Sequence, residues 1–591
     1  MKGLLISDFN IENLASYLKK EPNAPAIESV SVCYGQVSQT LLDDAAPIWS
    51  ERPDFVVAWT RPEGVLEAFR RMLDCCSVSE NDLNEQVDEF TAALHRASRR
   101  TAAIFVPTWV ISAFHQTHGL LDLSSSMGVA RALMRINMRL IESLENIPTA
   151  HALWAEKWVQ LAGPTAFNQR LWYLGKIPFS NEVFKAAARD LKAALRGLGG
   201  QAKKVIILDL DEVLWGGIVG DAGWEGLTLG GHDPAGEALV DFQRELKALT
   251  RRGILLAIVS KNEESVAMEA IAKHPEMVLK LDDFAGWRIN WQDKAENILD
   301  LMTELNLGLD SAVFVDDSPA ERARVREALP QLFVPEWPSD KRLYPEALLS
   351  LDRFDRPSVT EEDRQRSRMV AVDRERKQSK IHLGNLEEWL ATLKTTVRVE
   401  QLNQANLPRA AQLLNKTNQM NLSTRRMSEA EFQTWARQKT RRAWTFRVSD
   451  RFGDSGVTGI LSIEIDGLRA RIIDFVLSCR VMGRKIEETM LYIASSWARS
   501  AGVQEVYAEY CQTPKNKPCY DFFQRSGLTY RGGNMFVWDA AKAYPLHGAI
   551  RLVCEDGGAF GKPSIYINPS ELITDGDGLR EGGINADLTH R

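Results

Sequence analysis

Asp209 and Asp211 stand one residue apart at the end of an unbroken apolar run, Val205-Ile206-Ile207-Leu208, and shortly before the pair Gly216-Gly217. The run reads as a buried parallel strand. Its two acids then lie at a carboxyl end, where open α/β sheets bind their ligands. Side-by-side carboxylates are costly to bury unless a cation sits between them. Their oxygens suit a hard divalent ion, with magnesium the natural candidate. A strand running into an ordinary polar turn is the plain alternative, and the rest of the chain weighs against it.

Three more elements follow in order. Gly253 to Asn262 is a second buried strand, ending in Ser260, Lys261 and Asn262. Trp291-Gln292-Asp293-Lys294 precedes a helix and supplies a cation. Ser311 to Ser318 is a third buried strand, ending in Asp316 and Asp317. Each alone is a weak signal. Gathered at one sheet edge, they supply a carboxylate nucleophile, a hydroxyl and a lysine for phosphate oxygens, and acids for a metal. Phosphoryl transfer needs that set.

The elements around these residues belong to a chain of 591 residues, too long for one core. It is 45% hydrophobic and 26% charged, an ordinary soluble composition. A net charge of −7 argues against general nucleic-acid binding. No apolar stretch is long enough for a bilayer, and the N-terminus is unlike a signal peptide. Seven irregularly spaced cysteines form neither a disulfide framework nor a zinc pattern, so a reducing cytoplasm is expected. Leu4-Leu5-Ile6, Phe55 to Trp59 and Ala103 to Val106 are strand candidates of a first α/β region. The charge-rich stretch Asp352 to Lys380 reads as solvated helix. Beyond about residue 396 the pattern turns to mixed α and β. Trp444 to Val448 and Gly456 to Ile463 read as paired strands, Arg469 to Leu477 continues the sheet, and a helix runs from about Lys485 to Ala501. The Gly- and Asp-rich end, including Thr574 to Gly578, reads as a tail.

The four motifs resemble those of the haloacid dehalogenase (HAD) superfamily. That resemblance implies Asp209 as the nucleophile that becomes an aspartyl-phosphate. Asp211 is then the general acid, whose environment must hold a proton that Asp209 cannot keep. It implies Mg2+ on Asp209 and Asp316, with Asp211 and Asp317 as further ligands. Ser260, Lys261, Asn262 and Lys294 are the implied phosphate-binding set. Longer strings narrow the family: Asp209 to Gly217, Arg252 to Asn262, His274 to Met277, Asn290 to Ile298 and Phe314 to Arg322. With Leu171 to Ser180 upstream and Asn415 to Gln419 downstream, they are similar to FkbH-like proteins of polyketide and related pathways, up to about residue 545. The narrower resemblance implies 1,3-bisphosphoglycerate as substrate. It implies delivery of a dephosphorylated glyceryl group to the phosphopantetheine thiol of an acyl carrier protein.

The implied architecture is a multidomain α/β chain. An SGNH-hydrolase-like α/β domain covers 1–195 and a HAD Rossmann-like parallel-sheet domain covers 196–350. A helical linker covers 351–395, a GNAT-like α+β domain 396–548, and a tail 549–591. Cys479 lies at a strand-to-helix junction, where backbone N–H groups and Arg480 can stabilise a thiolate. A structural cysteine, or attack by the carrier's own thiol, remains open beside that role. Cys511 and Cys519 flank a loop, and Cys75-Cys76 reads as helix packing.

Several residues depart from the family patterns. Val213 stands where Thr is frequent, and Val259 where relatives carry Cys. The acetyltransferase pyrophosphate loop, Arg/Gln-x-x-Gly-x-Gly/Ala, runs here as Arg480-Val481-Met482-Gly483-Arg484-Lys485. A lysine in the last place crowds the loop against free acetyl-CoA. A pantetheine arm along the sheet remains expected at Arg480, Gly483 and Arg484, with Arg484 and Lys485 towards the carrier's acidic surface or simply opening a solvated helix. In the first domain Ser7-Asp8-Phe9-Asn10 stands where an esterase carries Gly-Asp-Ser. No Asp-x-x-His follows within 1–195, and His115 and His118 read as packing or surface residues, so a scaffold or docking role is expected. Two other readings use the same residues: a phosphatase domain fused to a CoA-dependent acyltransferase, and a non-catalytic carrier-binding scaffold.

Overall fold

The computed structural model describes residues 1–43, 45–112, 119–125, 128–359, 385–554 and 565–566. They fall into two compact units, Met1–Ser367 and Arg368–Arg591.

The first unit holds two parallel sheets. Strands β1 (Lys2–Ile6), β2 (Glu28–Ser31), β3 (Phe55–Ala58), β4 (Ala103–Pro107) and β5 (Ala150–Leu153) form a five-stranded sheet in the order β2-β1-β3-β4-β5. Its three central strands are buried and apolar apart from the exposed Lys2 that opens β1, because helices cover both faces. The edge strands β2 and β5 are only half buried and carry no such run. The second sheet comprises β6 (Val205–Leu208), β7 (Leu255–Ser260), β8 (Phe284–Ile289) and β9 (Ala312–Val315), ordered β8-β7-β6-β9 and parallel throughout. Strand β6 therefore lies between β7 and β9, with Asp209 just past its end. Helix Asn181–Leu198 ties the sheets together: Arg196 donates to the carbonyls of Ala24 and Asp352, each at 2.8 Å. Phe354, within the expected linker, is buried in the core of the second sheet. The remainder of that linker, including Glu361 to Arg366, falls on 360–384, outside the described residues.

The second unit is one mixed sheet of ten strands. Its strands are β10 (Thr395–Gln401), β11 (Met420–Asn421), β12 (Arg441–Asp450), β13 (Gly453–Asp466), β14 (Arg469–Leu477), β15 (Glu505–Glu509), β16 (Thr529–Tyr530), β17 (Met535–Asp539), β18 (Ile550–Cys554) and β19 (Ile565–Tyr566). Strands β12 and β13 pair antiparallel and β14 continues the sheet, as the alternation predicts. The helix after β14 spans Ile486–Ser500. Strand β14 runs parallel to β15 only from Arg469 to Ile472. Along the same edge, β11 then pairs with Val476 and Leu477. Cys511, beyond β15, donates its N–H to the Leu422 carbonyl at 3.0 Å, so this segment lies between the two strands. The sheet also runs past the expected boundary at 548. Ile550–Cys554 pairs parallel with β10, burying Ile550, Leu552 and Cys554 on alternate positions. The glycine-rich Thr574 to Gly578 lies outside the described residues. Among the described residues, no helix is long and apolar enough to cross a membrane.

One buried side chain fixes the surroundings of the Asp209 strand end. Gln243, fully buried in helix Pro234–Arg251, donates to the Leu214 carbonyl at 2.8 Å and accepts the N–H groups of Val278 and Leu279 at 2.9 and 3.2 Å. It thus joins the loop after β6 to the segment leading into β8. Replacing Gln243 by Ala orphans two buried backbone groups and one half-buried one, and is expected to cost about 2–4 kcal/mol. Urea unfolding of the full chain, followed by tryptophan fluorescence, measures the shift.

Candidate phosphoryl-transfer site

Each strand of the second sheet delivers one part of the site at its carboxyl end. Asp209 follows β6, takes its backbone hydrogen bond from its N–H to the Val315 carbonyl, and is buried. Its Oδ1 accepts the N–H of Leu210 at 2.7 Å, which turns Oδ2 towards Lys294. Lys294 opens helix Lys294–Glu304, whose N-cap Asp293 accepts the N–H groups of Ala295 and Glu296. Its ammonium donates to Asp209 Oδ2 and to Asp316 Oδ2, both at 2.6 Å. Asp316 is fully buried and accepts the Ser318 N–H at 2.9 Å on its other oxygen. Carboxylate oxygens of Asp209, Asp316 and Asp317 lie within 4.8 Å of one another. Such a hard, all-oxygen donor set fits magnesium. Ser260, almost wholly buried, ends β7 beside them.

The carboxylate of Asp211 points elsewhere. Its Oδ1 accepts Trp215 Nε1 at 2.8 Å and the Val219 N–H at 3.1 Å, and its Oδ2 accepts Asn262 Nδ2 at 3.0 Å. The expected share of Asp211 in the metal group is therefore corrected: three N–H donors draw its side chain into the turn past β6. Asn262 also donates to Ser260 Oγ at 3.2 Å, so here it orients two site side chains. Lys261 pairs at 2.7 Å with Glu321 on helix Pro319–Ala328. Sequence reasoning missed Arg322, a buried guanidinium that donates to the carbonyls of Asp316 and Asp317 at 2.8 and 2.7 Å and so fixes their loop. A lone arginine within a charged helix gives no local signal of that role.

In the second unit, Cys479 is exposed and begins a short 3-10 turn directly after β14, at the predicted junction. The residues beside it are less available than expected. Arg484 is 2% exposed, pairs with the buried Asp450 at 2.7 Å and donates to the Arg480 carbonyl, so it presents no charge to a partner. The Gly483 N–H donates to Glu487 Oε1 at 2.7 Å, which fills the anion position with an internal carboxylate. Burial pushes the Glu487 carboxyl up to about 6, partly offset by that N–H. Lys485 takes a left-handed conformation, φ +65°, and pairs with Glu488. Cys519 is buried and burial drives its thiol far up, whereas Cys511 is exposed. Cys75 and Cys76 are exposed beyond helix Glu67–Leu73 rather than packed within it. In the first sheet Ser7 is a buried turn residue whose Oγ accepts the Phe9 N–H, and Asp8 is paired with Arg61. His115 and His118 lie outside the described residues.

No family model matches the chain, and no curated protein matches it. A solved structure does: the N-terminal part of protein BF1531 from Bacteroides fragilis, containing a phosphatase domain complexed with Mg. It is 29% identical, with a TM-score of 0.55, over 61% of this chain and 94% of its own. The first unit is similar to a phosphatase domain. A spermidine N-acetyltransferase of Vibrio cholerae is 14% identical over 25% of this chain and 96% of its own, with a TM-score of 0.21, too slight a likeness to bear on function. The chain is a multidomain α/β protein with parallel sheets.

The site's charges are tightly interdependent. Burial and the nearby Asp209 carboxylate push Asp316 up to about 6, against the pull of Lys294. Burial and Asp209 also raise Asp317. Burial alone would lower Lys294, but Asp209 and Asp316 outweigh it and hold the ammonium charged. A raised carboxyl steadies the fold below its ordinary value of 3.8, and that contribution is lost as pH rises through about 6. Metal binding runs the other way, because the ion needs the charged form. Magnesium affinity is therefore expected to rise roughly tenfold between pH 5 and pH 7, with proton release, in calorimetric titrations. Asp316→Asn is expected to weaken binding and flatten that dependence.

Proposed function

We propose that the first unit is a magnesium-dependent phosphatase acting through Asp209. The chain as a whole then loads a glyceryl group from 1,3-bisphosphoglycerate onto the phosphopantetheine thiol of an acyl carrier protein. One observation carries the first half: Lys294 bridges Asp209 and Asp316 at one sheet edge, with Ser260 on the neighbouring strand. The likeness to a phosphatase domain complexed with Mg supports the same reading.

The chemistry follows from the positions. Asp209 Oδ2 attacks phosphorus and the alkoxide leaves, taking a proton from Asp211. Of the two Asp211 oxygens, Oδ2 has a single donor, Asn262, and keeps a lone pair for that proton. Water then attacks the aspartyl-phosphate, Asp211 takes its proton, and Asp209 is regenerated. Lys294 and Ser260 hold phosphoryl oxygens and offset their charge. Asp209, Asp316 and Asp317 would hold a magnesium ion, which would supply further positive charge to the phosphoryl group.

The acyl half rests on the resemblance of the longer sequence strings. An acyl phosphate is already activated. A thiolate takes its acyl carbon and releases the C1 phosphate, while Asp209 takes the phosphorus of the C3 phosphate and releases a hydroxyl. The exposed Cys479 is the enzyme's candidate thiol, with the carrier's own thiol the alternative. Fusion to a CoA-dependent acyltransferase is disfavoured by one observation: Gly483, where a CoA pyrophosphate would seat, already binds Glu487.

Intact-mass analysis of the carrier, after incubation with enzyme and either 1,3-bisphosphoglycerate or an acyl-CoA, tests the whole reading. Glyceryl loading from the first alone is expected. Asp209→Asn is expected to cut phosphate release by ~10³-fold or more. Equal release and loading by that variant would leave only a scaffold. Cys479→Ser, if it folds as the wild type by circular dichroism, is expected to abolish a glyceryl-enzyme adduct. An adduct that persists moves the thiol elsewhere.

A further inference from the structure

We infer that Lys341 receives a second anionic group on the phosphorylated substrate, and that Glu212 holds it ready at the rim of the phosphoryl site. The inference rests on the phosphatase reading and narrows its substrate class to phosphate esters carrying a further carboxylate or phosphate.

The starting point is the backbone of Glu212, which directly follows Asp211 and has φ +61°. Side-chain-bearing residues seldom adopt that conformation, and glycine would do so at less cost. A strained residue next to a site is explained by what its side chain does. Glu212 Oε1 accepts the Gly217 N–H at 2.5 Å, Oε2 binds the Lys341 ammonium, and the Glu212 carbonyl accepts the Tyr344 hydroxyl at 3.0 Å. Burial would raise this carboxyl, but Lys341 and the Gly217 N–H hold it below its ordinary range. The unusual turn therefore serves to place one carboxylate and, through it, one lysine.

The pair lies beside the acids. Glu212 directly follows Asp211, whose carboxylate shares the Asn262 amide with Ser260 Oγ. Lys341 Cε lies 3.7 Å from where a side chain on Gly216 would begin, within the turn past β6. The Lys341 side chain is 22% exposed, so solvent reaches it.

Charge supplies the reason. Asp209, Asp316 and Asp317 against Lys294 leave two negative charges, which a divalent ion balances. A second anion on the substrate then needs a further cation, and the buried Arg322 guanidinium is held by the carbonyls of Asp316 and Asp317. Of the other nearby cations, Lys261 is tied to Glu321. Lys341 can exchange Glu212 for a substrate anion while Glu212 keeps the Gly217 N–H, so neither partner is stranded.

Phosphate release by the full chain with magnesium is measured on two substrates that differ by one anion, 3-phosphoglycerate and glycerol 3-phosphate. The wild type is expected to prefer the first by roughly tenfold or more in kcat/KM, the worth of one charge-assisted contact. Lys341→Met is expected to collapse that ratio towards one, mainly through the KM for 3-phosphoglycerate, and Lys341→Arg to restore most of it. A ratio that survives Lys341→Met overturns the inference, whether both rates fall together, as for a purely structural latch, or neither falls. The Asp209→Asn control separates the two levels. If it leaves release unchanged, the phosphatase reading fails and this inference with it. If it abolishes release, the ratio speaks to Lys341 alone.

Discussion

The first unit is organised around a buried ammonium held between two buried carboxylates. Taking these three charges out of water costs several kcal/mol each. The cost is tolerable only because Lys294 reaches Asp209 and Asp316 together, while backbone N–H groups satisfy the opposite oxygen of each acid. That geometry in turn demands a rigid frame. Parallel strands β6 and β9 in register set the spacing of the two acids, and the N-cap of the Lys294 helix sets the approach of the ammonium. Arg322 then pins the loop of the second acid through its carbonyls. Removing Lys294 leaves two carboxylates unpaired in a low-dielectric place.

The same logic separates two acids that sequence spacing alone makes look equivalent. Asp209 ends a strand and shares its charge with a cation. Asp211 lies two residues on, in a turn rich in N–H donors, and is held by Trp215, Val219 and Asn262. Different surroundings give the two acids different partners, as the proposed reaction asks of them. The division is produced by the backbone turn at Glu212, not by the acids themselves.

Much of this was legible in the residues. Buried parallel strands such as Val205–Leu208 announce themselves as unbroken apolar runs, and polar residues at their ends mark the sheet edge. The half-buried edge strands Glu28–Ser31 and Ala150–Leu153 carry no such run and pass unnoticed. Contacts made at long range were also silent. Nothing local tells that Arg484 turns inward to Asp450, or that Ile550–Cys554 joins the sheet beyond the expected end of its domain. Each depends on a partner tens or hundreds of residues away, or on burial that only the assembled sheet provides.

The two-residue strand Met420–Asn421 has a kinetic consequence. It occupies the stretch of β14 that β15 leaves unpaired, and Leu422 extends the seal to Cys511. An extended arm that added to that edge would meet an intramolecular competitor already in register. Occupancy there would be an exchange of strands, gated by local opening of the short strand.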